Sequence, residues 1–70
     1  MMPLSLAELD TENTIKKIGG SAELKKHLEN LGFVVGGNVT VVAMMGGNVI
    51  VKVKEARVAI SEEAARRVMI

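Results

Sequence analysis

The spacing of apolar residues changes from helical to extended within the segment Leu24–Val42. Leu24, Leu28 and Leu31 are spaced i, i+4, i+7, which places them on one face of a helix. Gly32 follows directly, where the end of a helix favours a residue that tolerates positive φ. Two further glycines then precede a run of valines. The segment therefore predicts a helix, a turn and a strand in that order.

Two serines mark the expected starts of helices. Ser21 is a candidate N-cap for the helix Ala22–Leu31, and the acidic side chain in the first turn suits the helix dipole. Ser61 is a candidate N-cap for a short last helix, Glu62–Val68, which has acidic residues at its start and arginines at its end. Both serines are thus explained by capping.

Strand patterns occupy most of the remaining chain. The third strand alternates valines on one face with lysines on the other, the pattern of a half-buried antiparallel strand. The first strand breaks strict alternation, which predicts a bulge or twist. Glycine and asparagine at Met45–Asn48 favour a hairpin tip, and Glu55-Ala56 is a weaker turn. The predicted strands are Thr14–Ile18, Asn38–Met44, Val49–Lys54, Arg57–Ile60 and a closing strand from Val68 to Ile70 that pairs back near the start.

The order and length of these elements predict the fold class. A lead-in with Leu4, Leu6 and Leu9 as anchors comes first, and the last two leucines are spaced for one helical turn. Five short strands in 70 residues cannot cover two sheet faces separately, whereas closure into a bent barrel removes exposed edges. We therefore expect a mainly β protein with short helices, an SH3-like barrel with a helix inserted after the first strand. Residues 1–70 are expected to form a single domain.

Composition and charge narrow the function classes. Nine basic and eight acidic residues leave a net charge of +1, so no strong long-range field attracts nucleic acid or an anionic membrane. There is no cysteine, and no apolar run approaches the roughly 20 residues of a membrane span. The start of the chain has no basic region typical of a secretory signal. A soluble intracellular protein is the expected class.

The chain offers no recognisable catalytic motif. It has no phosphate-binding G-x-x-x-x-G-K-[ST] loop and no set of serine, histidine and acid that can be nominated, so we expect a protein without enzymatic activity. The lysines around positions 16–17 and 25–26 suggest a nucleic-acid face, but base stacking needs aromatic platforms and Phe33 is the only aromatic residue. A solvated lysine surface, with no nucleic-acid partner, is the favoured interpretation.

A metal site has one candidate centre. His27 is the only histidine, and Glu23 lies four residues before it on the same helix, so the two could ligate one ion. The alternative is a partly buried histidine at the rim of the leucine stripe. The second interpretation is favoured, because structural metal sites normally use three or four protein ligands.

The residues after the helix stop supply a candidate binding surface. Phe33, Val34 and Val35 follow Gly32 and cannot all point inward from a turn. Phe33 either fills the end of the barrel beside Leu31 or is exposed, and both arrangements remain open. An exposed apolar patch in a chain without catalytic residues indicates a partner surface. We therefore predict that Leu31, Phe33, Val34 and Val35 contact a partner.

Several short motifs together resemble one protein family. No single motif is specific, but their order and spacing over nearly the whole chain are similar to those of the ferrous iron transport protein A (FeoA) family. Many members have proline where Val35 stands and a longer hairpin than this chain. The motifs are P-L-S-L at Pro3–Leu6, L-E-N-L-G-F-V-V-G at Leu28–Gly36, Ala59-Ile60, and A-R-R-V-M-I at Ala65–Ile70.

The resemblance carries expectations about function. It implies a cytoplasmic SH3-like module of bacterial ferrous iron uptake, recruited to the inner face of the membrane by its partner. The implied partner is the membrane GTPase permease of that system, ferrous iron transport protein B. No cofactor is required, while direct binding of Fe²⁺ or Zn²⁺ through ligands shared in a homo-oligomer is the alternative. The barrel at the end of iron-dependent repressors is a second comparison, although this chain has no DNA-binding helix-turn-helix.

Overall fold

The computed structural model describes all residues from 1 to 70 and contains two antiparallel sheets and two α-helices. In chain order the elements are a 3₁₀ turn (Leu4–Leu6), β1 (Glu12–Thr14), β2 (Lys17–Ile18), α1 (Ala22–Leu31), β3 (Asn38–Met45), β4 (Asn48–Val53), β5 (Ala56–Ser61), α2 (Glu62–Arg67) and β6 (Val68–Met69). The larger sheet has the strand order β1-β3-β4-β5, and the smaller one pairs β2 with β6. The predicted mainly β class is therefore confirmed.

The predicted first strand, Thr14–Ile18, is wrong as one element because it is split between the two sheets. β1 pairs with β3 in the larger sheet, and β2 pairs with β6 in the smaller one. Between them Ile15 is buried, and its N–H donates to the carbonyl of Gly37 at 2.8 Å. The expected twist lies at this corner, where the chain leaves one sheet and enters the other.

Both hairpins of the larger sheet use turns with positive φ. Gly46 and Gly47 have φ of 50° and 86°, which fits a two-residue type I′ turn and confirms the predicted tip. The β4–β5 turn consists of Lys54 and Glu55, with φ of 49° and 63°. It lies one residue before the predicted turn, Glu55-Ala56. The prediction was displaced because neither Lys54 nor Glu55 is a glycine or asparagine, the residues that usually mark such a turn.

The predicted helix caps are confirmed. The Ser21 hydroxyl accepts a hydrogen bond from the Leu24 N–H at 3.1 Å, and the Ser61 hydroxyl accepts one from Ala64 at the same distance. Helix α2 ends at Arg67, one residue earlier than predicted, because Val68 is extended and begins β6. The two capping serines therefore have structural roles.

The core is entirely apolar and consists of 15 buried residues. Alternate valines of β3 and β4 supply its centre, as the period of two predicted. Of the three leucines expected to anchor the lead-in, only Leu4 is buried, whereas Leu6 and Leu9 are exposed. The lead-in forms a 3₁₀ turn at Leu4–Leu6, so the helical turn expected between Leu6 and Leu9 is wrong.

The two ends of the chain close the structure together. The predicted closing strand is present as β6, which pairs with β2. Met2 and Ile70 extend the closure, because each donates its N–H to the carbonyl of the other at 2.9 and 2.8 Å. This places the lead-in, the sheet corner and the last strand side by side.

Candidate functional site

The end of helix α1 fixes where the candidate site begins. Gly32 has a φ of 108° and donates its N–H to the Glu29 carbonyl at 2.9 Å. Phe33 donates to the Leu28 carbonyl at 3.0 Å, which completes a Schellman motif. Phe33 and Leu28 are both fully buried in the same core cluster, the apolar contact that accompanies this motif. The helix end thus directs Phe33 inward.

The next four residues form a turn that is tied to the sheet corner. The Gly37 N–H donates to the Val34 carbonyl at 2.9 Å, and Gly36 has a φ of 90°, as in a type II turn. The Gly36 N–H donates to the Ile15 carbonyl at 2.8 Å, and Ile15 donates back to Gly37. Three backbone hydrogen bonds therefore fix the conformation of the turn.

Two valines face the solvent from this fixed turn. Val34 is 37% exposed and Val35 is 65% exposed, whereas the Phe33 side chain has no exposed surface. Leu31 is partly buried against the core. Of the two arrangements left open for Phe33, the buried one is correct. Within the predicted partner-binding set, Phe33 supports the turn from below and the two valines form its accessible part.

A groove of about 390 Å³ lies beside the exposed valines. We call it the valine groove. Its apolar lining comes from β2 and the turn, and basic side chains line it from the sheet corner and helix α1. The residues lining the valine groove are Lys16, Lys17, Ile18, Lys25, Glu29, Val34 and Val35, and the buried Phe33 lies beneath them.

The sequence pattern predicted an ordinary solvated surface for the lysines of the groove. It gave no indication that these lysines lie next to the exposed valines. Lys16 and Lys17 precede Val34 by more than fifteen positions, so no local spacing joins them. The hydrogen bonds between Ile15 and the turn bring the two segments together.

The two predicted metal ligands lie on the exposed side of helix α1. Glu23 and His27 are both exposed, so the expected place of His27 at a partly buried rim is wrong. His27 is adjacent to the buried Leu28 in sequence, so its side chain points about 100° away from that of Leu28 around the helix. The core covers the side of the helix that carries Leu28 and does not reach His27. No three histidine, cysteine, aspartate or glutamate side chains cluster as a metal site in the chain. Whether His27 and Glu23 bind a metal stays a prediction.

Neither α-helix has both the length and the apolar character needed to cross a bilayer.

The fold places this protein among small mainly β proteins of SH3-like architecture. The sequence model of the FeoA domain matches residues 2–70, and the chain therefore belongs to the FeoA family. The family implies an accessory role in ferrous iron transport. A comparison with curated protein sequences finds no match. The family suggested by the sequence motifs is confirmed.

Solved structures show the same fold, two of them at similar length and one as part of a longer protein. An iron uptake regulatory protein (FeoA) superposes with a TM-score of 0.88 and 29% identity, covering 97% of this chain and 90% of that one. FeoA of Stenotrophomonas maltophilia, a procaryotic SH3 domain protein complexed with zinc, gives 0.84 and 29%, covering 99% and 88%. A manganese-dependent transcriptional repressor gives 0.86 at 17% identity, covering 94% and 38%, a likeness of fold alone. The predicted SH3-like fold is thus confirmed.

Proposed function

We propose that this protein is a non-enzymatic accessory module of bacterial ferrous iron uptake that acts in the cytoplasm. It docks on the membrane GTPase permease of the system, ferrous iron transport protein B, through the Val34-Val35 turn. Family membership supports the uptake system, and the exposed valine pair on an anchored turn is the observation that supports docking.

The conformation of the turn favours binding. Because three backbone hydrogen bonds already fix Val34–Gly37, a partner does not have to order this segment on contact. Full burial of one valine contributes roughly 1.5 kcal/mol or more, and Val35 has most of its side chain still to bury.

The exposed methionines at the β3–β4 hairpin are a weaker candidate surface. Met44 and Met45 are 49% and 66% exposed, close to the values for the two valines. However, neither methionine lines any of the four surface depressions of the molecule. Their unbranched side chains also lose more conformational freedom when they become ordered in an interface. They therefore serve as a matched control rather than as a second site.

The paired substitution Val34→Asp and Val35→Asp tests the proposal. We expect permease binding to fall at least about tenfold, because the interface would have to bury two new carboxylates. Binding is measured by biolayer interferometry with the full-length permease in detergent, and ferrous iron uptake is measured in cells that lack the native protein. The same change at Met44 and Met45 is the control and should leave both measurements unchanged. Unchanged binding in the valine variant would show that docking uses another surface.

Direct metal binding is the second candidate function. It is favoured by the zinc complex of the Stenotrophomonas maltophilia relative, which is 29% identical. Since one chain does not bring three ligands together, the site would need His27 and Glu23 from one copy and further ligands from a second copy.

Titration calorimetry with Zn²⁺ and with anaerobic Fe²⁺ tests this alternative. It predicts stoichiometric binding that disappears in His27→Ala and persists in Asn30→Ala, an exposed control on the same helix. Equal heats from the wild type and His27→Ala would exclude His27 as a ligand. Sedimentation during the same titration reports whether metal joins two copies.

A further inference from the structure

The charges around the valine groove indicate the chemistry of its occupant. We propose that the groove binds an acidic polypeptide segment that carries a large apolar side chain. The apolar side chain packs on Val34 and Val35, and flanking carboxylates lie against the lysines. This inference rests on the proposed docking function and specifies the kind of partner segment that fits.

The lysines of the groove have no acidic partners within the chain. Lys16, Lys17 and Lys25 line it together with a single acid, Glu29. The only ion pair in the protein joins Glu62 to Arg66 on helix α2. Each of the three lysines is therefore available to a carboxylate from outside.

The basic character continues beyond the groove. A second depression of about 240 Å³ also includes Lys17 and adds Arg66 and Arg67. Five of the nine basic residues line these two depressions, but only one of the eight acidic residues does. Arg66 is paired with Glu62, so the unpaired positive charge of the two depressions comes from Lys16, Lys17, Lys25 and Arg67, and the three lysines are the ones that lie beside the exposed valines.

A polypeptide fits this surface better than a lipid headgroup layer. The lysines border a shallow depression whose lining residues are about half apolar, and a protruding side chain fills it more completely than a flat bilayer surface does. Glu29 would face anionic phosphates at a bilayer, whereas in a peptide complex it can accept a hydrogen bond from a backbone N–H. Clusters of cationic side chains recognise acidic motifs in other proteins.

The first experiment neutralises the groove. Lys16→Gln, Lys17→Gln and Lys25→Gln are combined, and Lys26→Gln, Lys52→Gln and Arg57→Gln form a control with the same loss of charge outside both basic depressions. We expect the groove variant to bind the permease roughly tenfold more weakly, with a slower association rate and a flatter salt dependence. The control should stay within about twofold of wild type. Equal effects of the two variants would overturn the proposal.

The second experiment tests the groove without the permease. One synthetic peptide has glutamates on both sides of a central leucine, and its counterpart has glutamines in their place. Fluorescence anisotropy should show tighter binding of the glutamate peptide to the wild type, and this preference should disappear in the groove variant. Equal binding of both peptides, or binding of neither, would overturn the acidic-segment proposal.

These results separate the two proposals. Loss of permease binding in the valine variant, with wild-type binding in the lysine variant, would retain docking and reject the acidic partner. Preference for the glutamate peptide, with no permease binding by the wild type, would support the groove chemistry and reject the proposed docking partner.

Vesicles of phosphatidylcholine and phosphatidylserine are the final comparison. Vesicle binding that depends on the groove lysines, without peptide binding, would favour a lipid surface and overturn the proposal.

Discussion

Replacing Phe33 by alanine is expected to remove about 3–5 kcal/mol of folding free energy, the typical cost of truncating a fully buried phenylalanine. Phe33 is the only aromatic residue and the largest of the fully buried side chains. A chain of 70 residues is stabilised by roughly 4–10 kcal/mol in total. The variant should therefore lose between about a third and all of its folding free energy.

Urea denaturation followed by circular dichroism measures this loss. Phe33→Leu is the matched variant, because it keeps much of the buried volume and should cost less than Phe33→Ala. Val35→Ala, at an exposed position two residues further along the chain, should change stability by no more than about 0.5 kcal/mol. A Phe33→Ala midpoint close to that of Val35→Ala would contradict the buried position of the ring.

The same residue links the fold to the proposed docking surface. Phe33 is held in the core directly before Val34, so its ring fixes the point from which the turn leaves the protein. If Phe33→Ala lost permease binding, the loss could therefore result either from unfolding or from displacement of the turn. The valine substitutions separate these effects, because they change the exposed side chains and leave the ring in place.

Local patterns were sufficient to predict the elements whose stabilising contacts are also local. Helix α1 has its cap at Ser21 and its stop at Gly32, and both hydrogen-bond patterns involve residues only a few positions apart. The β3–β4 hairpin is likewise determined by two adjacent glycines. These signals need no information about the rest of the fold.

Most features that depend on distant segments were not predicted, and the closing strand β6, which pairs with β2, is the exception. The chain from Thr14 to Ile18 looks like one strand, but its two ends pair with strands that lie far apart in sequence. His27 looks like part of the leucine stripe, but its exposure depends on how far the core extends around α1. Neither the partner of a strand nor the edge of a packed surface is encoded in a short window of sequence.

The candidate site was predictable only in its apolar half. Val34 and Val35 could be identified because a turn after a helix stop cannot bury three large side chains in succession. The lysines that surround them could not be, because Lys16 and Lys17 reach the groove through contacts between the sheet corner and the turn. The charge of the site is therefore a property of the fold.

Closure of the chain ends leads to the second large expected effect, in Leu4→Ala. Leu4 is fully buried, and the 3₁₀ turn that carries it packs against helix α2. Truncation should cost roughly 2–5 kcal/mol, depending on how far the surrounding core can collapse into the cavity. Because Met2 and Ile70 bond only across this closure, release of the lead-in should also free the end of the chain.

Leu6→Ala supplies the control for Leu4→Ala, since it is the same substitution two residues along the same segment. Leu6 is 68% exposed, so its truncation should change stability by less than about 0.5 kcal/mol. Hydrogen exchange of the Met2 and Ile70 amides adds a local measurement, which should accelerate in Leu4→Ala and stay at the wild-type rate in Leu6→Ala. Similar melting and exchange in the two variants would mean that the lead-in does not depend on Leu4. A large difference would show that one buried leucine, rather than the three leucines of the sequence pattern, holds the two ends of this small fold together.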